Sequence, residues 1–297
     1  MNKQSFRGRL ALLAAAMIWG SSFFILKSAL GNMPVFLILA VRFSVGFGLL
    51  AAIFRRRLRA MKKEAVLHGA VCGVLLFTAY AFQTFGLRDT TPGKNAFLTT
   101  VYCVLVPFIG WLLFHNKPTR WNWLAAVACV IGIGLVSLNE SLTMNRGDAL
   151  TLVCGVFYAL HVLAVGRFTR REDAVALTTV QFGVAAVCNW VFSLLTEPMP
   201  TSLPTGALLE LCYLAVFPTT IAMLLQSVGQ SVTPAAPAAI LLSLESVFGV
   251  LFSVIFAGEQ VTLRLLCGFT LIFLAVIASE THFSFLFHHR KDESSWT

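Results

Sequence analysis

Charge is what this chain has little of. Only 12% of its 297 residues are Asp, Glu, Lys or Arg, about half the share of a soluble domain. So few charges cannot cover a core of the size its apolar content would need, which excludes a soluble globular domain. Catalytic signatures are missing as well. There is no Walker loop, no GxSxG and no HExxH, so ATP-driven pumping and the familiar hydrolase chemistries have no carrier here. The seven cysteines (72, 103, 129, 154, 188, 212, 267) include no CxxC pair and all lie in apolar runs. They read as small packing residues. His288-His289 is too short a tract for a metal site. No metal, cofactor or enzymatic activity is expected. Period-2 alternation is weak, which argues against a membrane β-barrel. The first apolar run is long and lacks a small-residue cleavage site, so no cleavable leader is expected.

Apolar sequence is what the chain has in plenty. Hydrophobic residues make up 58% of it, and mean hydropathy is +0.82. They gather into runs near the roughly 20 residues that a bilayer-crossing helix needs. Ten spans are expected, near 10–30, 35–54, 66–87, 93–115, 121–138, 148–167, 174–195, 206–229, 233–257 and 262–282. Short connections marked by Gly, Pro, Asn or charge join them. Residues 1–9 and 288–297 read as polar tails without structure. The fold class is therefore an all-α integral membrane protein.

The net charge of +9 does not point to nucleic acid, because the basic residues sit at the ends of apolar runs, where they orient helices. With both termini in the cytoplasm, sixteen Lys and Arg fall on the inner side and five on the outer, Arg42 lying within a span. An odd number of spans would spoil that asymmetry. The basic run at residues 55–63 reads as part of this orientation signal, with anionic lipid as the other reading. Asn139-Glu140-Ser141 fits a glycosylation acceptor by chance.

The chain also repeats itself. Residues 226–262 echo an earlier stretch at an offset of 143 (226 minus 83): Gln83 answers Gln226, Gly86 answers Gly229, Thr90 answers Thr233, Ala96 answers Ala239, Leu98 answers Leu241 and Val104 answers Val247. Asn116-Lys117-Pro118-Thr119 parallels Glu259-Gln260-Val261-Thr262. At an offset of 139 (180 minus 41), Val41-Arg42-Phe43 matches Val180-Gln181-Phe182, Trp19 matches Tyr158 and Gly8 matches Gly147. A fixed-offset echo marks an internal duplication. Five spans per copy is odd, so the second copy enters the membrane from the opposite face. Two inverted five-helix repeats with a site near the midplane is a common plan of secondary transporters.

With that layout in view, the chain resembles an EamA-type member of the drug/metabolite transporter superfamily. The resemblance rests on Trp19-Gly20-Ser21-Ser22, Arg42-Phe43, Ala96-Phe97-Leu98-Thr99 with Tyr102 and Pro107, and Leu244-Glu245-Ser246-Val247 leading to Gly258-Glu259 and Thr262. It covers nearly the whole chain. Asn116 stands where the family often has Glu. Ser246 follows Glu245 where Pro is common, so span 9 is expected to run straighter. The resemblance implies repeats over 1–142 and 143–285 with a cytoplasmic tail at 286–297. It implies spans 1–4 and 6–9 around a central cavity, with spans 5 and 10 outside.

The candidate cavity residues are the polar and aromatic ones within spans. Glu245 lies midway along span 9, where a carboxylate costs several kcal/mol unless it is protonated, paired or facing a wet cavity. It reads as a coupling or counter-charge group, or as a neutral acid bonding a neighbouring helix. Arg42 is too deep for a plain end-anchor and must be paired or hydrated. It reads either as a recognition group for an anionic moiety or as a tie to helix-end carbonyls. If it meets Glu245, the pair forms an internal gate. Trp19 with Ser22, and Tyr158 with His161, share helix faces by spacing of three. They read as cavity walls and polar handles, or as lipid-side aromatics with His161 a satisfied hydrogen bonder. Gln83, Gln181 and Gln226 either line a path or bond adjacent helices. Tyr102 joins the cavity set through the resemblance. Ala238, Gly249 and Ser253 form a small-residue face with Glu245 that favours close helix approach. Pro92 and Gly93, and Pro234 and Pro237, read as ordinary helix starts.

These residues imply an inner-membrane secondary transporter of small organic metabolites such as amino acids, amines or drugs. It would work by alternating access, with export the commoner direction in the resembling family and proton coupling through Glu245. The alternatives are an uncoupled facilitator for the same solutes and, more remotely, a membrane-embedded enzyme or scaffold. The expected partners are the small-molecule substrate, the lipid bilayer and a second copy in a homodimer, with no nucleic acid.

Overall fold

The computed structural model describes residues 3–115, 117–138, 143–169, 171–233 and 235–281. Every regular element among them is helical: α1 (Lys3–Ala29), α2 (Val35–Ile53), α3 (Arg55–Arg59), α4 (Lys63–Asp89), α5 (Pro92–Thr99), α6 (Val101–Phe114), α7 (Arg120–Ser137), α8 (Arg146–Phe168), α9 (Ala174–Thr196), α10 (Thr205–Leu214), a π segment (Ala215–Ile221), α11 (Ala222–Val232), α12 (Ala235–Ala257) and α13 (Leu263–Thr281). Apart from one isolated bridge between Leu138 and Met144, no extended pairing occurs among the described residues. The helices follow from the composition. In lipid every backbone N–H and C=O needs an internal partner, and a helix supplies one within its own segment.

Eight stretches among the described residues are long and apolar enough to cross a membrane, including Pro92–Phe114 and Thr205–Gln226, which run through α5–α6 and through α10, the π segment and α11. Within α12 and α13 the apolar stretches Leu241–Ala257 and Leu263–Ser279 add two more, each below 18 residues over the described side chains. The protein is a multi-pass membrane protein.

Helix boundaries past the first fall within three residues of the sequence expectation, but three local features differ. Residues 3–9 are helical and extend α1, where an unstructured tail is expected. Nothing in Lys3–Arg9 breaks a helix, and Gly8 lets α1 approach the Gly229 carbonyl of α11. The basic run holds a five-residue helix, α3, all of it exposed or half-exposed. Span 4 breaks at Thr100 into α5 and α6. α5 starts as expected at Pro92, with Thr91 as N-cap accepting from Lys94 N, and Pro in the first turn removes no needed donor. α12 runs without interruption past Ser246. Asn116, Asn139-Glu140-Ser141, Arg170, Pro234 and His288-His289 lie outside the described residues, as do the side chains of Pro237, Ala238 and Ala239.

Helices from the two halves of the sequence interleave. α4 packs along α8 and α9, α1 along α11 and α12, α2 along α9, α5 along α12, and α7 along α13. Close approach depends on small residues. A Cβ on Gly20 of α1 would run into Phe248 and lie 2.9 Å from the backbone nitrogen of Gly249 on α12. Lipid offers no hydrophobic drive for helix association, so such tight van der Waals seams carry it. α7 and α13 pack through Cys129, Val136, Phe269, Ile272 and Ala275, with Phe97 stacked on Phe269 at 4.4 Å. Cys72, Cys103, Cys129 and Cys154 are buried packing residues and Cys188 is half-buried. Cys212 and Cys267 are exposed on the outer surface of the bundle, so those two do not fit the expected packing role.

Candidate functional site

One cavity lies between the two halves, walled by α1, α2, α4, α5, α6, α8, α11 and α12. Trp19, Ser22, Arg42, Gln83, Tyr102, Tyr158, His161, Gln226 and Glu245 all line it. Of the sequence candidates only Gln181 does not. It stands behind the wall, 1% exposed, and its Oε1 lies 2.9 Å from His161 Nε2. Gln181 thus holds a cavity residue without forming the surface itself.

The sequence gives few clues to the other wall residues. Phe23, Leu26, Leu76, Tyr80, Thr99, Val162 and Met223 complete the lining. Tyr80 sits three residues before Gln83 on α4, so helical spacing was a usable signal for it. The apolar ones carry none, because a Leu or Val facing a cavity is written like one facing lipid.

The chemistry at the centre is that of an ionisable base and an ionisable acid, Arg42 and Glu245. Arg42 is 2% exposed. Its Nε donates to Thr219 Oγ1 at 3.1 Å and its guanidinium lies over the Tyr80 ring at 5.5 Å. Nη1 is buried without a hydrogen-bond partner. Among the described residues its hydrogen-bond partner is a threonine hydroxyl and not a helix-end carbonyl. Glu245 lines the same cavity, and no ion pair joins it to Arg42 among the described residues. The internal gate the two would have made by pairing is not formed. A guanidinium and a carboxyl group line one space without pairing with each other.

Polar wall groups are held in place by hydrogen bonds across helices. Tyr158 OH donates to Gln83 Oε1 at 3.1 Å, and Gln83 Nε2 donates to Thr99 Oγ1 at 3.1 Å. Asn95 Nδ2 donates to Thr151 Oγ1 at 2.7 Å and to the Gln83 carbonyl at 3.2 Å. Trp19 Nε1 donates to the Pro218 carbonyl at 2.9 Å, and Ser22 Oγ donates back to the Trp19 carbonyl at 2.7 Å. Tyr80, Tyr102 and Tyr158 form an aromatic wall, with ring centroids 5.6 and 6.0 Å apart. A few oriented polar groups set among aromatic and aliphatic walls is the usual make-up of a small-molecule site.

One end of the α5–α12 seam is tied by a carboxylate. Glu259 accepts from Thr91 Oγ1, from Gly93 N at 2.9 Å and from Ser253 Oγ. Gly258, at φ +66°, makes the left-handed turn that brings Glu259 back onto α12, the usual service of glycine after a helix end. An anion at the start of α5 also complements that helix's dipole. Ser253, read as a small packing residue, therefore serves in this tie as well. Among the described residues no three His, Cys, Asp or Glu side chains gather as a metal site would require.

A bundle of membrane-crossing helices thus encloses an internal cavity with a few polar groups among apolar walls. The profile of the EamA-like transporter family matches residues 6–138 and again 145–280, and the chain belongs to that family. It is 32% identical over 268 residues to an uncharacterized transporter of Archaeoglobus fulgidus, covering 90% of this chain and 84% of the relative. It is 24% identical over 217 residues to the uncharacterized inner membrane transporter YedA of Escherichia coli, covering 72% and 71%. Uncharacterized transporter YoaV of Bacillus subtilis is 21% identical over 284 residues, covering 93% and 97%. A solved crystal structure superposes with a TM-score of 0.69 at 18% identity, covering 95% of this chain and 98% of that one; at that identity it speaks for the fold alone.

Proposed function

We propose that this protein is a secondary transporter that exports small organic metabolites, such as amino acids, amines or drugs, across the inner membrane by alternating access. The observation that carries the reading is that Arg42 and Glu245, an ionisable base and an ionisable acid, line one aromatic-walled cavity with no ion pair between them among the described residues. A solute with a carboxylate, an ammonium or both would find a partner for each group. Buried ionisable groups of this kind within membrane helices are costly and mark substrate or ion paths. The same reading takes ten spans in two inverted five-helix copies, residues 1–142 and 143–285, with both termini cytoplasmic. The interleaving of the halves supports it: α4 runs along α8 of the other half, and α11 of the second half runs back along α1. The inner-membrane relative supports the location. Glu245 is the coupling group, and the site serves one copy moving against the other.

Uptake into proteoliposomes tests this. Purified protein is given pooled labelled amino acids, amines and carboxylates, with and without an imposed pH gradient. Concentrative uptake of a compound under the gradient is expected. Uptake that only equilibrates and ignores the gradient would replace coupling with facilitated diffusion. No uptake of any pool would overturn the substrate class.

A further inference from the structure

We infer that Thr219, on the π segment Ala215–Ile221, is a positioning residue that aims the Arg42 guanidinium into the cavity. The inference rests on the reading of that cavity as the substrate site. It begins with Pro218. Proline has no backbone N–H, so the α-helical bond to the Leu214 carbonyl four residues back is missing. The helix responds by widening to a π register, a form often found at functional sites. Thr219 Oγ1 then donates to the Leu214 carbonyl at 2.8 Å, and Thr220 Oγ1 likewise donates to Ala215 at 2.9 Å.

A hydroxyl has one proton to give and lone pairs to receive with. With its proton committed to Leu214, Thr219 Oγ1 can only accept from Arg42, and it does so from Nε at 3.1 Å. Thr219 is 1% exposed and absent from the cavity lining, so it acts on a ligand only through Arg42. Holding Nε fixes the plane of the guanidinium against the Tyr80 ring and leaves Nη1 without a protein partner. A planar guanidinium fixed at Nε presents its outer nitrogens for a carboxylate. The same segment holds a second wall residue, since the Pro218 carbonyl accepts from Trp19 Nε1. Thr219 thereby sets how well the cavity distinguishes carboxylate-bearing ligands from ligands that lack the group.

The test measures binding to purified wild type, T219V and T219S by titration calorimetry, with thermal unfolding of each ligand-free protein as the folding control. Three probes share one carbon skeleton: L-leucine, 4-methylpentanoate, which lacks the ammonium, and 3-methylbutylamine, which lacks the carboxylate. T219V removes the acceptor and keeps the shape. It is expected to bind L-leucine and 4-methylpentanoate on the order of tenfold more weakly, the scale of one misaligned charged hydrogen bond, and 3-methylbutylamine as wild type does. T219S, which restores the acceptor, is expected to bind all three as wild type does. Equal loss for all three probes, or no loss for any, overturns the inference. If T219V does not fold, T219A carries the same expectation. If wild type binds neither carboxylate-bearing probe, Arg42 does not read a carboxylate and the inference falls, while the uptake screen decides the substrate reading separately. If wild type binds them and the variants do not differ, the inference alone falls.

Discussion

At the scale of single residues, the question is why a chain this poor in charge keeps charged groups inside its bundle. A buried ion is tolerated when paired, hydrated or needed. Arg42 is partly satisfied by Thr219 and Tyr80, and Glu245 faces the cavity. His161 is bonded to Gln181, which fits the plainer of its two readings, a satisfied hydrogen bonder. In the proposed mechanism Glu245 is the group whose protonation follows the cavity's exposure to one side or the other. Glu245→Gln keeps size and polarity but fixes the charge at zero. The variant is expected to fold, to bind substrate and to lose accumulation under a pH gradient, reaching only equal concentrations on the two sides. Proteoliposome uptake against time checks this, and retained gradient dependence would remove Glu245 from the coupling role.

Elements act here through seams. α1 and α12 meet where Gly20 faces Gly249, and both helices carry cavity residues, Trp19 and Ser22 on one and Glu245 on the other. Adding a methyl at Gly20 forces backbone against backbone, so the helices must part. Gly20→Ala is expected to cost about 1–3 kcal/mol, the range for overpacking a close seam. A lower unfolding midpoint in detergent, with weaker substrate binding, is the expected result, and an unchanged midpoint would show that the seam yields freely. The opposite kind of tie occurs at Glu259, where one carboxylate gathers Thr91, Gly93 and Ser253 from two helix ends. α5 and α12 are thus joined at that end. The corresponding tetrapeptide of the first half begins with Asn116 in place of a glutamate, so the two tetrapeptides are not chemically equivalent.

For the whole molecule, the orientation proposal has a direct check. In the proposed ten-span layout sixteen Lys and Arg fall on one side against five on the other, and the inside preference of basic residues would put both termini in the cytoplasm. A fluorescent protein that matures only in the cytoplasm is expected to light when fused at either end. Alkaline phosphatase, active only outside, is expected to work when fused after Asn145 and to stay silent at the ends. The reverse pattern would invert the protein and move the Glu259 tie to the cytoplasmic side.

Much of this architecture is written in one dimension. Helix edges could be read because a bilayer demands uninterrupted apolar runs and tolerates few breaks. The duplication could be read because equivalent helices meet equivalent packing demands, as Gln83 and Gln226 or Gly86 and Gly229 record. Candidate cavity residues such as Arg42, Glu245 and Trp19 stood out because polar and amphipathic groups are conspicuous in apolar sequence. The same signal misread the start of α1, where a polar tail continues the helix, and gave nothing for α3 or for the break at Thr100. Folding was needed to bring residues 200 positions apart onto one wall, to leave Arg42 and Glu245 unpaired, and to set Gln181 behind His161. Thr219 shows the reason most plainly. A threonine in an apolar span has no mark to separate it from others, and its task arises only when Pro218 opens the helix and Arg42 arrives from another one.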